Sequence, residues 1–222
     1  MSNIYDFGVN GSLPSKVGGL GATVKYFPRL LGVNGTSIGS AGLGGVSGSS
    51  VAAPLFGTSP ATPSSSSAVG ALYLPAQNDS NGQQISVIAS GSIASDNPDP
   101  SSTVTVQLYV VTGSLLKPTY TSIATTGAIT PNYIVEPWGL EANLLGVSVN
   151  GANGLLVGSY SATKNGSITA PTTVTTVVTG LDFNAGNPAL QQGAVLGFVI
   201  GVTFGTTDAN NGASLYEFTI ES

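Results

Sequence analysis

From Pro75 to the end of the chain, apolar and polar residues alternate in short runs, and this period of two constrains the fold more than any other feature. In Thr103–Val110, valines and a leucine occupy the even positions, and Thr, Gln and Tyr occupy the odd ones. Successive side chains of a β-strand point to opposite faces, so the pattern predicts strands with one buried face. No run has a 3.6-residue period long enough for a helix of three turns. This region is therefore predicted to be all-β.

Eight strands are predicted, separated by Gly, Pro, Asn and Asp residues such as Asn165-Gly166. Their ranges are Gln84–Ser90, Thr103–Val110, Tyr120–Thr125, Trp138–Val149, Leu155–Thr163, Thr172–Thr179, Leu196–Phe204 and Tyr216–Ile220. In the last of them, alternation predicts that Tyr216, Phe218 and Ile220 share one face. Eight short strands without helices predict an eight-stranded, jelly-roll-like β-sandwich over residues 76–222.

Residues 1–75 have a different composition, with 14 Gly, 13 Ser and 6 Pro, and no charged residue lies between Arg29 and Asp79. Apolar residues are interleaved with these glycines, but no strand or helix period continues for more than a few residues. The segment cannot bury its apolar residues alone. We therefore expect a long extended N-terminal arm that becomes ordered along another surface or another subunit.

The chain lacks cysteine and histidine, and only 7% of its residues are charged, against about 25% in a typical soluble domain. Disulfides, thiolate metal sites, histidine metal sites and Ser-His-Asp triads are thereby excluded. No phosphate-binding glycine motif is present. We expect no catalytic residue, no cofactor and no metal, and predict that the chain is not an enzyme.

Two kinds of carboxylate arrangement are possible exceptions to this expectation, a glycosidase pair and calcium loops. Glu136 and Glu141 could form a glycosidase pair, but their odd spacing puts them on opposite faces of a continuous strand, and Pro137 indicates a turn between them. Asp182–Gly186 and Asp208–Gly212 present oxygen ligands at alternate positions, as calcium loops do. Both segments lack the downstream glutamate that binds calcium in such loops. Because Asp, Asn and Gly also form ordinary turns, we favour the interpretation that both segments are turns.

The arm carries the only cluster of cations, since residues 1–75 contain three basic residues and one acid, whereas residues 76–222 contain two lysines and nine acids. With a sequence pI near 4.2, we expect no nucleic-acid partner. The predicted partner-docking residues of the arm are Lys16, Lys25, Tyr26, Phe27 and Arg29. Cations flanking an aromatic pair suit a docking anchor; the alternative is a solvated linker.

Four aromatic residues are candidates for a carbohydrate platform, because exposed rings can stack on sugars: Tyr109, Tyr120, Tyr133 and Trp138. Aromatic side chains of a sandwich also fill cores and subunit contacts. Both alternatives are open from the sequence. For Tyr133 and Trp138 we therefore consider either a glycan contact or a subunit contact.

We expect no membrane partner, because the longest apolar stretch, Gly193–Gly205, is too short for a spanning helix, which needs about 20 residues. The first ten residues have an acid and no basic region before an apolar block, unlike a secretory signal. Synthesis in the cytoplasm is the expectation.

Three motifs carry a resemblance to a known class: Pro137–Ala142 (PWGLEA), the preceding Thr125–Ile129 (TTGAI) and the closing Ser214–Phe218 (SLYEF). The order of strands and turns supports the same resemblance, with Thr-Thr-Gly as a link between two strands. Residues 76–222 resemble β-sandwich virion proteins of tailed bacteriophages. The resemblance implies a capsid decoration (cement) protein that trimerises, binds the major capsid protein and resides in the virion. The arm would then clamp neighbouring capsid subunits. The alternative is a tail- or fibre-associated receptor- or glycan-binding jelly-roll module; a carbohydrate-binding module of a cellular enzyme fits less well.

Overall fold

A computed structural model describes the following residues: 44–47, 53–54, 72–74, 82–94, 103–114, 117–130, 136–149, 153–179, 181, 183, 196–205 and 212–221. Within these ranges the regular secondary structure is entirely β-strand. This confirms the all-β prediction for the part of the chain that is described.

Eight long strands form the body of the protein. They are β4 (Gln83–Ala94), β5 (Val104–Ser114), β6 (Lys117–Ile129), β7 (Glu136–Ser148), β8 (Asn153–Lys164), β10 (Thr172–Thr179), β11 (Leu196–Phe204) and β12 (Gly212–Glu221). Each contains or overlaps one of the eight predicted strands. Four short strands accompany them: β1 (Gly44–Ser47), β2 (Ala53–Pro54), β3 (Leu72–Leu74) and β9 (Ser167–Ile168).

The strands form two antiparallel sheets. The seven-stranded sheet has the order β1-β12-β4-β7-β8-β10, with β9 also paired to β8, and the five-stranded sheet has the order β2-β11-β5-β6, with β3 also paired to β11. Side chains from both sheets form one apolar core, which includes Ile85, Leu108, Phe198 and Phe218. Burial of this core between two sheets is what the alternating pattern requires.

The described strands form a β-sandwich that shares three strand pairs with a jelly roll but distributes the strands differently between its two sheets. Of the eight long strands, the first pairs with the last (β4 with β12) and the second with the seventh (β5 with β11). The fourth and fifth, β7 and β8, also pair. The third and sixth, β6 and β10, do not pair with each other, and each forms an outer strand of its own sheet. Among the described strands, no hydrogen-bonded pair therefore joins the two sheets at the β6–β10 side of the sandwich.

The last strand differs from its predicted alternation because it contains a β-bulge. Leu215 lies opposite Gly91, but the next pair in register is Glu217 with Ser90, so Tyr216 is an extra residue. Phe218 and Ile220 lie in the core as predicted, whereas Tyr216 is 43% exposed. The prediction that Tyr216 shares their face was wrong, since a bulge reverses the alternation at the inserted residue. The Tyr216 hydroxyl lies 2.6 Å from Ser92 Oγ.

The predicted turn at Pro137 and the predicted Thr-Thr-Gly link are instead parts of strands. Pro137 lies inside β7, opposite Ser92 of β4, and Thr125–Ile129 lies inside β6, where the pairing with β5 shifts register twice. Gly127 in this bulged stretch has a φ of 65°, which glycine adopts without strain. The Oγ1 of Thr126 accepts a hydrogen bond from the backbone amide of Val106 at 3.1 Å. The side chain thus takes the place of a backbone carbonyl as the acceptor inside the core.

The predicted turn at Asn165-Gly166 is confirmed. Both residues have a positive φ, 50° for Asn165 and 72° for Gly166, and Lys164 pairs with Ser167 across them. These are the requirements of a two-residue hairpin loop with the right-handed strand twist, and Asn-Gly is the sequence that best meets them.

Three short strands come from within the residues predicted to form the arm. β1 pairs with β12, and both β2 and β3 pair with β11. All three therefore extend the sheets at the β11–β12 side, opposite β6 and β10. These parts of the arm lie on the sheets of their own chain. The rest of residues 1–75 lies outside the described residues.

Candidate interaction surfaces

Most of the predicted site residues lie outside the described residues. These are the docking residues Lys16, Lys25, Tyr26, Phe27 and Arg29, together with Tyr133. The same holds for the acidic and amide side chains of both possible calcium loops, Asp182, Asn184, Asp208 and Asn210. Their roles stay predictions.

Trp138 lies in the core and is only 2% exposed. Its ring packs over Gly91, the residue opposite it on β4, and a Cβ added at Gly91 would meet Trp138 Cζ2 at 2.6 Å. A ring enclosed in this way has no face to offer a sugar or a neighbouring subunit, so we correct the sequence-based assignment of Trp138 to such a contact. Its even spacing from Leu140 and Ala142, which are also buried, is the sequence signal for a core position.

Two of the other candidate aromatics come together on the outer face of the five-stranded sheet. Tyr109 pairs with Val199, and Tyr120 pairs with Val111. The two valines are buried, and both tyrosines pack against them. We call these four residues the tyrosine cluster. The prediction that Tyr109 and Tyr120 could share a surface therefore agrees with their positions, while Trp138 belongs to the core.

Polar groups border the tyrosine cluster. The Tyr109 hydroxyl donates to Gln107 Oε1 at 2.8 Å, and Gln107 Nε2 donates to Ser122 Oγ at 3.1 Å. Burial of the phenol raises the pKa of Tyr109 above its ordinary value, because desolvation disfavours the charged phenolate.

The raised pKa of Tyr109 predicts a loss of stability in alkali. Above about pH 10 the unfolded chain loses this phenolic proton while the folded chain retains it, so the free energy of unfolding falls as the pH rises. Tyr109→Phe should make this fall shallower. The measurement is the urea midpoint of both proteins between about pH 8 and pH 11. Parallel curves for the two proteins would contradict the expectation, whatever their vertical offset.

The acidic residues Glu136 and Glu141 lie on opposite faces of β7, as their spacing predicts. Glu136 is 9% exposed on the core side, and Glu141 is exposed on the outer side, where Asn143 Nδ2 donates to its Oε1 at 3.3 Å. This geometry does not form a pair of carboxylates facing one substrate. In the described ranges, no three acidic residues come together as a candidate metal site. Those ranges also contain no helix of the length and apolarity that crossing a membrane requires.

The outer face of the seven-stranded sheet has an apolar end. Pairing aligns Val147, Leu155 and Val177 in one row across β7, β8 and β10, and Leu145 with Val157 in the adjacent row. Val149 follows directly after β7, and its amide donates to the carbonyl of Asn153 at 3.2 Å. We call these six residues the aliphatic patch. Val149 and Val177 are 54% and 57% exposed.

The two open outer strands differ in regularity. β6 begins with Lys117-Pro118 and contains two register shifts, which are features that protect sheet edges from pairing. β10 pairs with β8 without interruption from Thr172 to Thr179. It has no charged residue, and none occurs between Lys164 and Asp182. Among the described strands, β10 is therefore a long and regular edge strand that has neither a charged residue nor a register shift to prevent pairing with another strand.

Comparison with models of known protein families and with curated proteins finds no match for this chain.

Proposed function

We propose that this chain is a structural protein of a bacteriophage virion, a capsid decoration protein that trimerises and stabilises the capsid lattice through its N-terminal arm. Synthesis would take place in the host cytoplasm, and the partners would be the major capsid protein and further copies of the chain. The single observation that carries the proposal is strand addition: residues of the predicted arm extend both sheets of a β-sandwich as β1, β2 and β3.

Strand addition supports the proposal because it requires only backbone groups and a regular edge. The arm has no charged residue from residue 30 to residue 75, and its short strands pair with β11 and β12 in the same way that the arm would pair with an edge on a capsid subunit. Contacts of this kind suit permanent assemblies, whose interfaces are large and apolar. The cations and aromatics near Lys25 would then serve as the anchor of the arm's outer part.

Deletion of residues 1–43 tests the proposal. The deletion removes the five predicted docking residues but keeps β1, β2 and β3, so the sandwich should remain intact. We expect the truncated protein to lose at least about 90% of its binding to phage particles that lack the protein, because the anchoring contacts are removed. The bound amount is measured on a gel after the particles are sedimented.

A full-length chain with Tyr26→Ala and Phe27→Ala should also bind less, whereas Ser49→Ala, in the same arm but outside the docking residues, should bind normally. Circular dichroism verifies that each variant keeps its β-structure. Truncated protein that still coats the particles would overturn the role of the arm.

The tyrosine cluster favours a second candidate function, a glycan-binding module of a tail or fibre. A partly exposed tyrosine beside the amide of Gln107 offers both a ring and hydrogen-bonding groups to a sugar. Copy number separates the two functions, since a decoration protein occurs in hundreds of copies per particle and a fibre module in few. Glycan binding that Tyr109→Ala abolishes would favour the second candidate.

A further inference from the structure

The aliphatic patch has an unusual place on its sheet. On the same outer face, the next rows towards the other end of β7 and β8 are polar, with Asn143 beside Ser159 and Glu141 beside Ser161. Within β7, β8 and β10, the outward aliphatic side chains thus lie at one end, whereas Ile168 of β9 is a single exposed aliphatic side chain towards the other end. Contiguous exposed apolar surface of this kind is typical of interaction sites in soluble proteins.

We infer that the aliphatic patch and the adjoining edge of β10 form the contact between copies of this chain. The inference rests on the self-association in the proposed function and names the surface that performs it. The patch would form the dry centre of the contact, and the outward threonines of β10, Thr173 and Thr175, would form its polar rim.

The distribution of charge favours a second copy as the occupant. Residues 76–222 contain nine acids and two lysines, so two copies repel each other wherever their acidic surfaces meet. No charged residue occurs between Glu141 and Lys164 or between Lys164 and Asp182. Glu141 lies four residues from Leu145, about 13 Å along the strand. The patch is therefore a surface on which identical acidic chains can meet without opposing like charges.

The position of the arm strands gives a second reason. β1, β2 and β3 all pair at the β11–β12 side of the sandwich, and none of them reaches β10. The part of the arm that is described thus leaves the patch and its edge uncovered. The cations of the arm, moreover, suit an acidic partner, whereas the neutral patch suits an apolar one. Three copies can bring their patches together around a threefold axis, each contacting two neighbours.

The full-length chain tests this inference by its mass in solution. Sedimentation equilibrium of the unaltered protein at about 10 µM should give a mass that is a whole-number multiple, greater than one, of the 22.0 kDa of a single chain. Val177→Lys places a charge at the centre of the contact and should raise the dissociation constant at least about 30-fold, as the loss of a hot-spot residue does. Because Val177 is already 57% exposed, the variant should fold. Val149→Lys, outside the regular strands, should act in the same direction.

Ile168→Lys is the matched control. Ile168 is 76% exposed, and its partner Thr163 lies eight residues along β8 from Leu155, the partner of Val177. The control therefore adds the same charge about 26 Å away on the same sheet. It should leave the mass unchanged.

A monomeric unaltered protein, or a Val177→Lys protein that keeps the full mass, would overturn the inference. If Ile168→Lys dissociated the oligomer as strongly as Val177→Lys does, the contact between copies would not lie at the aliphatic patch. Particle binding is measured separately: an oligomer that dissociates as expected but never coats particles would disprove the proposed function alone.

Discussion

Replacement of Gly91 with alanine is expected to lower the free energy of unfolding by more than about 3 kcal/mol, the upper end of the usual cost of overpacking. A Cβ at this position would overlap the carbonyl oxygen of Ser214 and lie 2.6 Å from the ring of Trp138. One neighbour is backbone beside the bulge of β12, and the other is a core side chain that is only 2% exposed. The added methyl group must therefore separate β4 from β12 or expel the indole.

The single tryptophan of the sequence makes this result easy to measure. Trp138 fluorescence during urea unfolding reports both the midpoint and whether the indole is still buried in the native state. Gly139→Ala is the matched control, because its Cβ would meet Thr163 at an ordinary 3.5 Å. The control should change stability by no more than about 0.5 kcal/mol. Equal midpoints for the two variants would refute the argument from close packing.

Phe183→Ala is expected to cost about 3–5 kcal/mol, the range for removal of a buried aromatic side chain. Phe183 is fully buried, and its ring lies against both Gly146 of β7 and Gly154 of β8, at 2.5 Å from the place where each Cβ would be. Glycine has no side chain that could move into the vacated space. The cavity should collapse poorly, which puts the cost in the upper part of the range.

A double-mutant cycle tests the same packing from the other side. Gly146→Ala should destabilise the unaltered protein through its clash with the ring, but should cost at least about 1 kcal/mol less once Phe183 is alanine. Ile168→Ala, at a side chain that is 76% exposed, serves as the control and should change stability by less than about 0.5 kcal/mol. An additive cycle would mean that the ring and the glycine are not in the contact described.

The strands could be predicted because alternation is a local property. The apolar residues Val104, Val106 and Leu108 occupy every second position, and only a β-strand with one buried face places all three side chains in the core. The hairpin at Asn165-Gly166 could be predicted for the same reason, since the requirement for positive φ is met by two adjacent residues. The aliphatic patch was missed, although leucines at consecutive positions, Leu144-Leu145 in β7 and Leu155-Leu156 in β8, were a visible signal for apolar side chains on both faces.

The secondary-structure class, the eight strands and the uncharged stretch of the arm after Arg29 follow from the amino-acid sequence, because these properties depend on neighbours in the chain. Which residues of distant strands meet is a property of the folded sandwich. Trp138 was a candidate for a glycan contact until its pairing with Gly91 enclosed it in the core. Tyr216 leaves the core because of one extra residue in β12. No turn joins strands that are far apart in the chain, such as β4 and β12, so their register depends on the packing of both strands in the whole sandwich.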